Sequence, residues 1–287
     1  MKQNLMDRIN VFLLKAGFII KNLRRSCFDI LARREEHILL IKALEDANSI
    51  SEDYTREMGL VASYVGGSPL ILAEKAGGKL EDDIIYLRFD IYTLNTNTFF
   101  NCVNNKFPFI RSGKAGLTTS IFGKRLREKR EEMGYSVNAL SRKIGVTSRM
   151  IRKYESGDSE VTLNKAEKIH RIFGIYVFSK VDIFRQNHVQ KSSIETEVSQ
   201  KFAELGFRVS ETKKTPFDII ARKENDLILT EVSDKVDYNI QSLSRLVGAD
   251  NLVIFNKKKP KNIPAMTKKE FMEFDRANEL VKFLKDF

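Results

Sequence analysis

The sequence predicts a mixed architecture, two α/β units flanking a small all-α unit, and three observations carry that reading. Two stretches near opposite ends of the chain align without a gap, a central stretch lays out caps and apolar spacings for four consecutive helices, and polar segments separate the parts. In the repeat, LLKAGFIIKNLRRSCFDILARREEHILLIKAL (13–44) lies over FAELGFRVSETKKTPFDIIARKENDLILTEVS (202–233). Gly17 then matches Gly206, Phe18 matches Phe207, Phe28-Asp29-Ile30 matches Phe217-Asp218-Ile219, and Ala32 and Arg33 match Ala221 and Arg222.

Each copy reads as an amphipathic helix closed by glycine, a strand, a polar turn, an FDI strand, a charged hairpin turn and a second apolar strand. A helical stretch and another apolar strand follow, Pro69 to Ala73 in the first copy and Asn251 to Phe255 in the second. The expected division is an N-terminal α/β unit over 1–103, a linker over 104–120, the helical unit over 121–177, a second linker over 178–193 and a C-terminal α/β unit over 194–287. The first linker is inferred from its Asn, Gly, Ser, Thr and Pro content.

Composition narrows the function classes. A hydrophobic share of 42% and a charged share of 30% describe a chain able to bury ordinary cores. Forty-nine Lys and Arg against 38 Asp and Glu leave a net charge of +11, which favours polyanionic partners, nucleic acid first, by attraction and counterion release. Cys27 and Cys102 form no CxxC pair, so neither a disulfide framework nor a thiolate metal site is expected. That cysteine usage fits a reducing cytoplasm, and the N-terminal apolar run is broken by Asp7, Arg8, Asn10 and Lys15, which argues against a signal peptide or membrane span. His37, His170 and His188 are too scattered to gather on one metal, and Gly66, Gly67, Gly77 and Gly78 match no phosphate-binding pattern. No cofactor is expected.

The central stretch is the most specific. Phe122, Leu126 and Met133 give the first helix an apolar stripe, and Gly134 suits the left-handed residue that ends it. Ser136 caps a second helix carrying Leu140 and Ile144 on one face, and Gly145 supplies the positive φ of a tight turn closed by Val146. Thr147 caps the third helix, with Met150, Ile151 and Tyr154 inward and Ser148, Arg149, Arg152 and Lys153 outward. A fourth helix from Thr162 places Leu163, Ala166, Ile169 and Phe173 at helical spacing.

These residues, from Ile121 to Ile175, resemble the helix-turn-helix of the lambda-repressor and Cro class without an insertion. The resemblance implies that the third helix enters the major groove of double-stranded DNA as a recognition helix. Ser148, Arg149 and Arg152 then face bases, with Arg149 suited to a bidentate guanine contact, while Lys153, Arg142 and Lys143 face phosphates. Thr147, Ser136 and Asn138 complete the expected interface. Glu155 is expected to pair with Arg130 rather than touch DNA. The competing reading, a helical module that binds protein, would be favoured by an acidic third helix, and this one carries no acid from Thr147 to Tyr154.

The flanking FDI strands resemble the core of the restriction-endonuclease-like and Holliday-junction-resolvase fold, in which an aspartate and an E-x-K triplet hold a divalent metal. Counting from Asp218, the glutamate falls on Glu231 and the lysine on Ser233; counting from Asp29, they fall on Lys42 and Leu44. Neither copy keeps the full set, so neither catalysis nor a metal site is expected, although Lys235 with Glu195 or Glu197 could in principle restore part of the C-terminal one. The degenerate copies are expected to serve dimerisation, or to clamp DNA through Arg24, Arg25, Arg33 and Arg34, or to receive an effector or protein partner. The lysines at 257–259 and 261 are expected in a solvated loop. Over its whole length the chain resembles an archaeal family of helix-turn-helix transcriptional regulators, implying a dimeric regulator of promoters. A DNA endonuclease or junction-processing enzyme targeted by its helix-turn-helix, and an adaptor module, are the alternatives.

Overall fold

The computed structural model describes residues 2–113, 116–185, 192–235, 237 and 239–287, so His188 and much of the second expected linker lie outside the described residues. The chain divides into two compact units, one of residues 1–71 with 184–287 and the other of residues 72–183. The two repeats, expected as separate units, therefore share one, and the first unit's boundary falls well before residue 103.

The N-terminal repeat follows its expected order. Helix α1 (Lys2–Lys15) buries Leu5, Ile9 and Leu13, and Gly17 at φ 81° turns the chain into β1 (Ile19–Asn22). Strands β2 (Ile30–Arg34) and β3 (His37–Leu44) form a hairpin, helix α2 (Glu52–Val65) ends at left-handed Gly66, and β4 (Ser68–Ala73) is buried at every position. Strand order is β1-β2-β3-β4. The glycines at 66 and 67 make a turn, with Gly67 pressed against Leu40 and Ile38 where a Cβ would not fit.

In the second unit, hairpin β5 (Lys75–Ala76) and β6 (Gly78–Lys79) precede β7 (Ile84–Arg88), β8 (Ile91–Leu94) and α3 (Thr96–Val103). Strands β9 (Ile110–Gly113) and β10 (Gly116–Ile121) then pair antiparallel, so the segment expected as a linker over 104–120 carries ladder structure. Its hydroxyls are used in the sheet: Thr118 donates to Glu160 and Ser120 accepts from Arg111, while Thr118 and Thr119 are both buried. The helices are α4 (Gly123–Glu132), α5 (Val137–Ile144), α6 (Ser148–Ser156) and α7 (Leu163–Phe173), with β11 (Val161–Thr162) before α7 and β12 (Phe178–Ser179) after it. Both short strands pair with β10, tying the helices to the sheet β8-β7-β9-β10-β11. Residues 178–179, expected in a linker, thus belong to this sheet.

The C-terminal repeat comprises α8 (Glu197–Glu204), β13 (Arg208–Glu211), β14 (Ile219–Lys223), β15 (Asp226–Val232), α9 (Asn239–Val247), β16 (Asp250–Phe255), β17 (Ala265–Thr267), α10 (Lys268–Met272) and α11 (Ala277–Lys285). Its sheet runs β13-β14-β15-β16-β17, with the last two pairings parallel. Correspondence with the first repeat extends to single bonds. Arg34 donates to Ala16 O and Lys223 to Leu205 O; Asp29 accepts from Ala43 N and Asp218 from Val232 N.

The repeats pack face to face over one core. Phe28, Leu31, Leu40 and Tyr64 of the first copy meet Phe217, Ile220, Leu229 and Leu243 of the second. Helix α2 lies on β14 and α9 on β1 and β2, so each copy's helix covers the other's sheet. Arg33 donates to Leu246 O at the end of α9, and its counterpart Arg222 donates to Tyr64 O at the end of α2. Each guanidinium satisfies a carbonyl that its host helix leaves unpaired and favours the negative end of that helix. The arrangement is an approximate two-fold built within one chain. Arg33 and Arg34, expected as candidates for gripping DNA, are instead committed to Leu246 O and Ala16 O.

Candidate nucleic-acid interface

The reader helices are held by a core of Leu126, Leu140, Ile144, Ile151, Tyr154, Ala166, Ile169 and Phe173, with Val161 and Phe178 from the short strands. The expected inward set is found with three corrections: Leu163 at the start of α7 is 40% exposed, and Phe122 and Met133 are 44% and 48% exposed. Phe122 and Met133 sit at the caps of α4, outside its helical stripe, and the inward position is filled by Arg130, only 7% exposed. Arg130 donates to both carboxylate oxygens of Glu155, at 2.5 and 3.1 Å, and to Tyr135 O at 3.0 Å, as the sequence anticipated for the acid. That bidentate bond holds the Arg130 pKa above its ordinary value and fixes α4 against the end of α6. Gly123 is required here, because a Cβ would collide with the backbone of Tyr154 and Glu155.

The corner between α5 and α6 forms as its residues dictate. Ser136 accepts from Ala139 N at 3.0 Å, Gly145 takes φ 76°, and Thr147 accepts from Met150 N at 3.2 Å. With Ile151 and Tyr154 buried, Arg149, Arg152 and Lys153 stand exposed along one side of α6, and Arg142 and Lys143 are exposed on α5. Ser148 and Asn138 are brought together: the Ser148 hydroxyl donates to Asn138 Oδ1 at 2.5 Å and lies 3.3 Å from Ser141 Oγ. Both side chains thus clamp α5 to α6 while remaining at the surface's edge. Lys143 lies 5.2 Å from the Tyr135 ring centre, and Arg142 is held near Asn138 O.

Sequence reasoning missed Lys165, which donates to Gly145 O at 2.8 Å, and Lys168, whose Nζ also approaches Gly145. They add positive charge to the corner beside Arg142 and Lys143. Their spacing on α7 was visible, but nothing local in the sequence indicates that α7 passes the turn.

The nuclease-like positions have different fates in the two repeats. In the first, Lys42 occupies the glutamate position and donates to Asp29 Oδ1 at 3.2 Å and to Ser26 O at 2.9 Å, a buried ion pair where clustered carboxylates would be needed. In the second, Glu231 is buried near Asp218 and accepts from Asp237 N at 3.0 and 3.1 Å. Burial, with Asp218 and Asp237 nearby, raises its pKa to about 7. The Ser233 hydroxyl bonds within its own turn to the backbone of Lys235, and of the conceivable carboxylate replacements Glu197 pairs with Lys268 at 2.7 Å and Glu195 accepts from Ser193. Among the described residues, no three His, Cys, Asp or Glu gather as a metal site. His37 stacks near Phe184 and His170 near Phe178. Cys27 and Cys102 are free thiols whose pKa values burial pushes up. The loop at 256–258 is wrapped around Asp234, whose Oδ1 accepts from Asn256 N and Lys257 N at 2.8 Å. Among the described residues, no helix is long and apolar enough to cross a membrane.

Comparison with known proteins agrees with both readings. Residues 2–108 match the PD-(D/E)XK superfamily domain, and residues 126–177 match a helix-turn-helix family. Curated relatives include a protein of Thermococcus kodakarensis, 29% identical over 99% of this chain and 95% of its own length. Another, from Pyrococcus horikoshii, is 28% identical over 99% and 98%, and one from Methanocaldococcus jannaschii is 29% identical over 99% and 97%. All three are provisionally named as HTH-type transcriptional regulatory proteins.

Proposed function

We propose, from the premise that the chain is similar along its whole length to archaeal helix-turn-helix-type regulatory proteins, that it is a sequence-specific DNA-binding transcriptional regulator. The carrying observation is the third reader helix: Ile151 and Tyr154 anchor one side of it while Arg149, Arg152 and Lys153 remain exposed on another. Residues 121–177 form the reader, α6 enters the major groove, Arg149 and Arg152 meet base edges, and Lys153, Arg142 and Lys143 meet phosphates. Ser136, Asn138, Thr147 and Ser148 set the corner and lie at the interface. Two copies on a palindromic site give the dimeric form, as a repressor by occlusion. Because the repeats satisfy one another inside a chain, the dimer contact lies outside the Phe28–Phe217 core.

Selection of bound sequences from random duplexes, followed by footprinting, tests the reading. The double variant Arg149→Ala, Arg152→Ala is expected to lose the footprint with an unchanged unfolding transition. A retained footprint would sink the assignment.

The PD-(D/E)XK match keeps a nuclease reading in view, but the Asp29–Lys42 ion pair and the engaged Ser233 argue for a protein without cleavage activity. Incubation with linear and branched DNA plus magnesium or manganese is expected to leave both intact.

A further inference from the structure

Behind the reader helices, α7 and the sheet leave an open cavity of about 380 Å³. Its walls are almost wholly apolar: Phe109, Leu163, Ala166, Ile175 and Phe178 line it, and Leu163 and Ile175 are 40% and 42% exposed. Polar residues are few: Glu167 and His170 edge it from α7, and Thr119 stands on β10. Thr119, only 4% exposed, lines the cavity from β10, and its hydroxyl is buried with no hydrogen-bond partner. An unpaired buried hydroxyl costs free energy that an apolar side chain of the same shape would not, so its position against an apolar hollow calls for a partner group. A mostly apolar concavity of this size, with a few polar groups, is the usual form of a small-molecule site.

The geometry points to a binding site for a small, uncharged aromatic or branched aliphatic molecule carrying one hydrogen-bonding atom, seated between β10 and α7 with that atom on Thr119. The site does not depend on the chain binding DNA; its role as an effector site does rest on the regulator reading. The route to the reader is short, since α7 packs against β10 on one side and α5 on another. Lys165 of α7 also holds Gly145 O at the corner before α6. A molecule wedged under α7 shifts the element on which that corner rests.

The test uses the full-length protein and the neutral fluorophore 6-propionyl-2-(dimethylamino)naphthalene, whose carbonyl can accept from Thr119. The chain has no Trp, which leaves the emission clear. A saturable blue shift with one probe per chain is expected. Thr119→Val, which keeps the shape, should weaken binding at least fivefold, and Ala166→Leu should abolish it. Circular dichroism and thermal unfolding establish that both variants are folded, and Leu163→Phe at the exposed rim supplies a second filling variant if Ala166→Leu is not. A shift that is absent, or equal in parent and Thr119→Val, overturns the site. So does sedimentation showing a dimer that Leu163→Arg separates, because the groove is then covered by a second copy. With DNA selected as above, the bound probe should change affinity several-fold in the parent and not in Thr119→Val; an unchanged affinity removes the effector role. Failure to bind any duplex, with a Thr119-dependent shift intact, would refute the regulator reading and uphold the site.

Discussion

The two repeats share the same hairpin and the same reciprocal arginines, yet the aspartate beside the hairpin is buried against a cation in one and exposed near an acid in the other. In the N-terminal copy Asp29 is neutralised by Lys42, with Lys2 Nζ also 3.1 Å away. In the C-terminal copy Asp218 is exposed, and it is the nearby Glu231 that is buried; its pKa is raised first by that burial and then by the charges of Asp218 and Asp237. The fold therefore survives either arrangement at this spot, because its stability comes from the shared apolar core. What changes is the chemistry. One copy has replaced a ligand position by a charge that repels metal, while the other retains two carboxylates without the lysine that would complete the triplet.

The comparison is broken most severely at Lys42. Lys42→Met leaves Asp29 buried with only a partly exposed lysine for company, and the expected loss is about 3–5 kcal/mol in urea unfolding. The same apolar logic in the other repeat has the opposite sign. Glu231 has its pKa raised from 4.5 to about 7, so the folded state holds the proton more tightly than the unfolded chain. Its contribution is full below about 4.5 and is lost as pH rises towards about 7. Glu231→Gln should therefore flatten the pH dependence over that window and raise stability at pH 8, by an amount on the order of 3 kcal/mol. Unfolding midpoints measured from pH 4 to pH 8 on parent and variant check the sign.

The reciprocal arginines sharpen the two-fold. Arg33→Ala and Arg222→Ala are each expected to cost about 1.5–3 kcal/mol, and similar values would show that the halves support each other equally. A smaller effect is expected at the matched turns. Gly17→Ala and Gly206→Ala each force a side chain into positive φ, at 81° and 84°, for about 1 kcal/mol apiece. Thermal unfolding of the pair would detect an asymmetry, since only at Gly206 does a new Cβ come within 3.0 Å of a lysine Nζ.

Much of this was readable from residues whose meaning is local. Gly145, Thr147, Ser136 and the Arg130–Glu155 pair were legible because capping, positive φ and helical spacing act within a turn or through an established pattern. The repeat was legible because its glycines and FDI strands recur in register. Less local features were not. Arg33 looks like any surface arginine until α9, far along the chain, presents Leu246 O to it. The strand pair at 110–121 reads as a linker because its Thr and Ser residues are polar, and only the neighbouring β11 and β12 reveal the ladder they join. Phe122 and Met133 fit an apolar stripe on paper but fall on cap residues, where direction is set by the chain's entry and exit. The Ser148–Asn138 clamp needs the angle between two helices, which neither helix encodes alone.

The core joining the ends of the chain also has a bearing on biosynthesis. Phe28, Leu31 and Leu40 gain their full cover only when Phe217, Ile220 and Leu229 have been translated, and the whole reader is made in between. At ordinary ribosomal speeds this exposes an oily sheet face for on the order of ten seconds or more, a window in which chaperones or a neighbouring nascent chain compete for it. Swapped assemblies, in which the early half of one polypeptide closes on the late half of another, are the misfolded product this topology invites.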